Sequence, residues 1–256
     1  MVKGTEVFAT LADDYARYRP GYPGQVVDEL VRVSGLTRDW IIADIGSGSG
    51  NSALPFLEAG YQVIGVEPNR EMREAAERLL AAYPAFHSID SAAERIPLDA
   101  HSVDLIIIGQ AWHWFDIDSA IAEFQRILRP DGWVAVMWNN RLGDATEFTR
   151  AYAELTQHCA TVQPPSCAAP RGFGDDLDRL FGNATPQEAR FPHTQSFDLK
   201  GLLGRARSSG FIPQPGAPNH DEFTALMTDL FDRYQCDGAV EFHYITQLYI
   251  GHLDEK

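Results

Sequence analysis

Positive charge is scarce in this chain of 256 residues: 21 Lys and Arg stand against 36 Asp and Glu, a formal net charge of −15. So acidic a surface repels phosphate backbones, which argues against a nucleic-acid substrate. Arg205 and Arg207 form only a weak basic patch. Cysteine is also scarce. Cys159, Cys167 and Cys236 are odd in number and widely spaced, and no CxxC or Cys/His cluster accompanies them. Neither a disulfide framework nor a metal site is expected from that pattern. Long apolar runs are missing, so no transmembrane helix is expected. The opening MVKGTEVFATLADDY has no apolar core of a signal peptide. These absences lead to the expectation of a cytoplasmic protein with reduced thiols and no membrane partner. No internal repeat or low-complexity tract is present. Hydrophobic residues make up 45% and charged residues 22%, the balance of a globular protein. The length allows one α/β domain with an added cap, or two small domains.

The first 140 residues alternate between two kinds of segment. Residues 40–45 are a short apolar run of strand type that ends in Gly46-Ser47-Gly48-Ser49-Gly50. A helix is expected over 51–59, stopped by Gly60. Strands are expected at 62–66 and 86–90, with a helix over 70–82 between them. The run VDLIIIG at 103–109 is continuously apolar, as a strand buried on both faces should be. A helix over 117–128, a turn at 129–132 and a strand at 133–138 follow. Such alternation implies βαβ units, a parallel sheet and right-handed crossovers that put helices on both faces. Ligands of such sheets bind at the carboxyl ends of the strands. After residue 140 the pattern loosens. Residues 161–175 are rich in Pro, Gly and Ala and read as a loop. A strand over 189–199, a helix over 199–207 and a β-rich segment over 238–253 complete the chain. This half is expected to be a cap around the last strands rather than an independent domain.

The chemistry-bearing residues cluster at the predicted strand ends. Glycines after the first strand permit a sharp turn and close approach of a ligand, and the helix that follows offers N–H groups to an anion. The dinucleotide fingerprint needs glycine five positions after Gly46, where this chain has Asn51. Asp44, two residues before Gly46, can accept hydrogen bonds from a ligand ammonium. A carboxylate-plus-ammonium ligand fits that pairing better than a pyrophosphate. Glu67 closes the second strand, where an acid can bind both hydroxyls of a ribose. The small residues of Ser91-Ala92-Ala93-Glu94 leave room for a flat ring. Gln110-Ala111-Trp112-His113-Trp114-Phe115 follows the fourth strand and sets aromatic faces, able to hold a sulfonium cation, around one histidine. His113 is a candidate general base, and a packing histidine is the competing reading.

The combination of DIGSGSG, VEPNREM, AAERIPL, VDLIIIGQAWHWF and LRPDGW resembles the class I S-adenosylmethionine-dependent methyltransferases. More narrowly it resembles the methyltransferase type 11 group, which includes trans-aconitate methyltransferase-like proteins. Residues 8–23, FATLADDYARYRPGYP, resemble the Tyr/Arg-Pro segment that lies over the cofactor in that group. The likeness is specific over residues 8–140 and faint beyond. It implies an α/β fold: a Rossmann-like, doubly wound, mostly parallel seven-stranded sheet with helices on both faces and a helical cap insertion. Residues 1–140 would be the cofactor-binding core, and 141–256 the cap with the last strands of the same sheet, in a single domain. The cofactor implied is S-adenosyl-L-methionine. By the resemblance, Asp44, Gly46, Ser47, Gly48 and Gly50 would hold its methionine part and Glu67 its ribose. Pro68 and Met72 would line the adenine side, and Ala92, Ala93 and Glu94 its edge. Gln110 would lie near the methionine amine through its backbone. Tyr18 or Arg19 would close over the methionine carboxylate. The pair Ser91-Ala92 departs from the group's commoner Gly-Thr or Gly-Asp. The expected activity is methyl transfer to a small-molecule O, N or C acceptor, such as a carboxylate or a phenol. His113 would act as base only for a phenol, alcohol or amine. Arg141, Arg171 and the Phe and Tyr residues of the cap permit an acidic or an aromatic acceptor. A cofactor-binding protein without methyl transfer (a regulator or a biosynthetic cyclase) and an NAD-dependent oxidoreductase are the alternatives.

Overall fold

The apolar strands carry two interleaved sets of side chains. Ala43, Ile45, Ile106, Ile108, Val134 and Val136 belong to one buried cluster, whereas Ile42, Leu105, Ile107, Ala135 and Met137 belong to another. That alternation is the period of two of a β-strand, so a helical layer must cover each face. The computed structural model describes residues 12–161, 173–182 and 185–253. Most of the loop expected over 161–175, residues 8–11 of the N-terminal motif, Cys167 and Arg171 lie outside the described residues.

In chain order the elements are α1 (Ala12–Tyr18), α2 (Gln25–Ser34), β1 (Ile41–Ile45), α3 (Leu54–Glu58), β2 (Gln62–Val66), α4 (Arg70–Leu79), β3 (Phe86–Ile89) and β4 (Val103–Gly109). A 3-10 turn (Trp112–Trp114) leads to α5 (Ile117–Ile127), β5 (Leu128–Arg141), α6 (Glu147–His158), α7 (Phe173–Phe181), β6 (Gln187–Phe197), α8 (Leu199–Arg207), α9 (His220–Tyr234) and β7 (Val240–Gly251). One seven-stranded sheet has the order β3-β2-β1-β4-β5-β7-β6. β1 to β5 are parallel, and β7 runs antiparallel to both β5 and β6. Phe124 of α5 and Leu180 and Phe181 of α7 cover one face. Val26, Val27 and Leu30 of α2 and Phe56 and Leu57 of α3 cover the other. This is the doubly wound arrangement expected, with its topological switch between β1 and β4.

Two boundaries differ from the sequence reading. The helix expected to follow Gly50 directly begins only at Leu54 and has five residues. Gly46, Gly48 and Gly50 take φ values of 69°, 54° and 84°, so the chain turns repeatedly through left-handed conformations before a helix can start. Pro55 then sits in the first turn, where its missing N–H costs nothing. The turn expected at residues 129–132 is a bulge within β5. The register shifts between Val103↔Leu128 and Leu105↔Trp133, and Asp131 has φ 62°.

The second half is organised by β7. Its carboxyl-terminal half pairs with β5 and places Leu248 and Ile250 in the sheet core. Its other half carries Val240, Phe242 and Tyr244 into a third cluster with Phe148 and Tyr152 of α6, Leu202 and Ala206 of α8, and Phe223, Met227 and Phe231 of α9. The cap helices thus pack on an extension of the sheet. The α1 helix links both parts: Ala12 packs with Met72 and Ala75 of α4, and the Tyr18 ring lies against Gly204 of α8. Among the described residues no helix is long and apolar enough to cross a membrane.

Candidate active site

Asp44 stands on β1 in register with Gly65 of β2 and Ile107 of β4, one residue before the strand ends. It is completely buried. Oδ2 accepts a 2.6 Å hydrogen bond from Ser52 Oγ, while Oδ1 has no partner. Burial lifts its pKa to about 7, opposed by the Ser52 bond and assisted by the nearby Glu67 charge. An ammonium at Oδ1 would supply both the missing hydrogen bond and the missing counter-charge.

The loop that follows is a backbone lattice. The N–H groups of Gly46 and Ser47 both donate to the Val66 carbonyl, and that of Gly50 to the Ser47 carbonyl. Gly48 N–H donates to Glu67 Oε2 at 3.0 Å. These four donors are spent within the fold, so an anion at this loop would draw on the remaining amides between Ser49 and Ala53. Gly46 has a different reason to be glycine. A Cβ there would lie 2.4 Å from the Ala111 Cβ and 3.2 Å from the Phe115 ring, so the loops after β1 and β4 touch across the switch point.

Glu67 follows β2 and is 9% exposed. Its second oxygen accepts from Asn69 N–H at 2.9 Å. Burial raises its pKa against the pull of these two bonds and of Arg73. Each oxygen retains a free lone pair for a hydroxyl donor. Pro68 is exposed beside it. Met72 is buried under the loop, its Cε 3.4 Å from where a Gly48 Cβ would stand. In the loop after β3, Ala93 is buried and Ala92 exposed. Glu94 accepts from Asp116 N–H at 2.8 Å, which ties that loop to the start of α5. Gln110 follows β4 with φ 53°, an unusual conformation for a residue with a side chain, and its N–H donates to the Met137 carbonyl.

The aromatic run separates into two roles. Trp112 is fully buried against Phe115 and Phe124. The cradle expected of its ring is corrected to core packing. His113 and Trp114 are exposed. The His113 ring lies 4.5 Å from that of Trp114 and 5.5 Å from that of Trp138 at the end of β5. Its partial burial lowers its pKa. It has no hydrogen-bond partner among the described residues, so its ring nitrogens are open to a ligand.

Arg19 and Tyr18, proposed from sequence as alternatives, go to different places. The Tyr18 ring is buried, where a Cβ on Gly204 would come within 2.1 Å of it. Arg19 stacks 5.0 Å from the Tyr15 ring centroid and donates from Nη2 to the Ser208 carbonyl at 3.0 Å. The weak basic patch expected at 205 and 207 is also corrected. Arg205 is 6% exposed, and Arg207 pairs with Asp14 at 3.2 Å. The sequence reading did not single out Ser52 or Tyr22. Tyr22 Oη would lie 3.0 Å from a Cβ on Gly109, and burial with the Asp44 and Tyr15 charges drives its pKa up.

Comparison with known proteins agrees with this geometry. A family model described as a methyltransferase domain matches residues 43–136. An uncharacterised methyltransferase of Schizosaccharomyces pombe is 30% identical over 250 residues, which cover 94% of this chain and 95% of that protein. An uncharacterised methyltransferase of Mycobacterium tuberculosis is 37% identical over 134 residues, 52% of each chain. The chain thus spans about half the length of that mycobacterial relative. A solved structure from Anaeromyxobacter dehalogenans, assigned as a type II methyltransferase, superposes with a TM-score of 0.67 at 21% identity, covering 92% of this chain and 98% of that one. That likeness speaks for the fold, and the near-full-length fission-yeast match carries the identity: the chain belongs to the class I S-adenosylmethionine-dependent methyltransferase family.

Proposed function

We propose that this protein binds S-adenosyl-L-methionine across the β1–β4 switch point and transfers its methyl group to a small-molecule acceptor. The observation that carries the reading is the open, buried Oδ1 of Asp44 beside a Glu67 whose carboxylate steadies Gly48. An amino-acid ammonium at the first and a ribose diol at the second satisfy both sites at once. A net charge of −15 favours a small molecule over a nucleic acid as acceptor, and a cytoplasmic location fits the few thiols.

The cofactor supplies an activated methyl group on a sulfonium. The protein's own part is to hold the acceptor atom in line with the departing sulfur and to exclude water. No base is needed for a carboxylate acceptor. For a phenol or amine, His113 is the exposed imidazole that can take the proton, and its lowered pKa keeps it neutral for that purpose.

Calorimetric titration with S-adenosylmethionine, S-adenosylhomocysteine and NADH, on the wild type and on Glu67→Ala, tests the reading. Micromolar binding of both adenosyl ligands, weakened by the substitution and without response to NADH, is expected. Preference for NADH, or no adenosyl binding, defeats it. Tight binding with no labelled product from a metabolite extract would leave a binding protein rather than a transferase.

A further inference from the structure

Acidic side chains outnumber basic ones, and several arginines among the described residues pair with one. Arg126 pairs with Glu123, Arg129 with Asp104, Arg179 with Asp118 and Arg207 with Asp14. Arg19 and Arg205 do not. Both Nε atoms are buried without a hydrogen-bond partner among the described residues. Arg205 Nη2 reaches only the Tyr244 hydroxyl, at 3.4 Å. Arg205, Tyr15, Tyr152 and Tyr244 act on Arg19, and Tyr244, Tyr152 and Tyr15 act on Arg205, whose pKa they raise against its burial. Burial and Arg205 bring Arg19 down to about 10. A third cation adjoins them. Arg141, the last residue of β5, lies 5.5 Å from the Tyr152 ring centroid and 5.9 Å from that of Phe242, and Arg205 lies 5.9 Å from the same Phe242 ring.

Buried guanidiniums without counter-charges destabilise a fold, so their retention calls for a ligand that supplies the charge. Their place is informative. Arg141 ends a strand of the sheet at its carboxyl side, and Arg205 comes from α8 of the cap. Arg19 is stacked on Tyr15, and Tyr15 and Asp44 both act on the half-buried Tyr22. The cations therefore lie next to the candidate cofactor site, on the cap side, between aromatic walls.

We propose that Arg205 and Arg141 form the acceptor site for a small organic acid, whose carboxylate the guanidiniums hold while another part of the molecule faces the methyl group and Arg19 beside them serves the cofactor. The planar fork of each guanidinium matches a carboxylate in two hydrogen bonds, and the Tyr152 and Phe242 rings suit an aliphatic or aromatic body. This inference rests on the methyltransferase reading for the neighbouring cofactor. The same guanidiniums have one other carboxylate within their chemistry, that of the cofactor's methionine part, and the test separates the two.

Calorimetry on the protein saturated with S-adenosylhomocysteine is made with glutarate and benzoate, and with glutaramide and benzamide as neutral counterparts. The acids bind and the amides do not, and Arg205→Met or Arg141→Met weakens the acids by about tenfold or more. In the same variants, S-adenosylhomocysteine and 5′-methylthioadenosine, which lacks the amino-acid part, keep their affinities. Equal binding of acids and amides, or none by either, overturns the proposal while leaving the cofactor reading intact. A loss confined to S-adenosylhomocysteine, with methylthioadenosine unchanged, gives Arg205 to the cofactor's carboxylate and also overturns it. Failure of S-adenosylhomocysteine to bind the wild type defeats the cofactor reading instead. Should Arg205→Met fold poorly, Arg205→Lys keeps the charge and loses the fork, and the acids should weaken there too.

Discussion

Ser52 Oγ donates to Asp44 Oδ2 at 2.6 Å from eight positions along the chain, and so fixes the carboxylate with its other oxygen open. The serine commits one oxygen to the protein and reserves the other for a ligand. Asp44→Asn should therefore weaken S-adenosylhomocysteine binding by about tenfold or more, because a charge-assisted bond becomes a neutral one. Calorimetric titration of the variant measures this, and unchanged affinity would place the ammonium elsewhere.

The same substitution should alter stability in the opposite sense, with a defined pH dependence. The Asp44 carboxyl has a pKa of about 7 in the fold, above the ordinary carboxylate range. The folded state thus binds a proton that the unfolded state releases at about pH 4. This group's penalty is absent below that pH and grows as pH rises towards 7. In urea unfolding without ligand, Asp44→Asn should gain on the wild type by a few kcal/mol more at pH 8 than at pH 4, since each tenfold change in proton affinity is worth ~1.4 kcal/mol. A pH-independent difference between the two proteins would mean that Asp44 titrates normally.

Glu67 supports the loop as well as facing the ligand, and two variants separate these functions. Glu67→Ala strands the N–H groups of Gly48 and Asn69, at about 1–3 kcal/mol of stability each. Glu67→Gln keeps one carbonyl acceptor and should unfold at a higher urea concentration than Glu67→Ala, yet bind adenosyl ligands more weakly than the wild type. Equal midpoints for the two variants would deny the loop contact.

Gly46→Ala should cost about 2–4 kcal/mol, through a left-handed backbone and a methyl pressed onto Ala111. Gly143→Ala is the control, since a Cβ there meets nothing within 4 Å. Thermal melts of the two variants provide the comparison.

His113→Ala should lower turnover and leave cofactor affinity nearly unchanged. Because burial depresses the histidine pKa, the acid limb of kcat/KM should fall below the ordinary imidazole value of 6.5. A large loss of cofactor binding in this variant would place the ring in the cofactor pocket instead.

The alternating core of the sheet was legible because β1 and β4 are apolar on both faces and end in conspicuous residues. β4 and α8 occupy the residues predicted for them. The neighbourhood of Glu67 could be anticipated from a lone acid at a strand end. Other features depend on distance in space. Asp44 finds Ser52 only because the intervening glycines fold the chain back. Arg205, in sequence half of a weak basic patch, is buried because α8 turns it towards Tyr244 of a strand 39 residues away. Trp112 and Trp114 are neighbours with opposite fates, one in the core and one exposed, since the 3-10 turn points them apart. The loop amides looked available to a ligand because sequence does not reveal that Val66 had already claimed two of them.

The β7 strand is hydrogen-bonded to β5 from Gly251 to Tyr244 and to β6 from Ile250 to Val240. It belongs to both halves of the molecule, which has a practical consequence for anyone dissecting it. Ending the polypeptide after Arg141 would leave β5 as a bare sheet edge and strip Leu248 and Ile250 from the apolar layer over Ala135 and Met137. Unpaired edges of that kind recruit other chains, so the family-matched region on its own should precipitate rather than fold. Residues 43–136 are the stretch that the family model matches, and that stretch is not a unit cut free of β7.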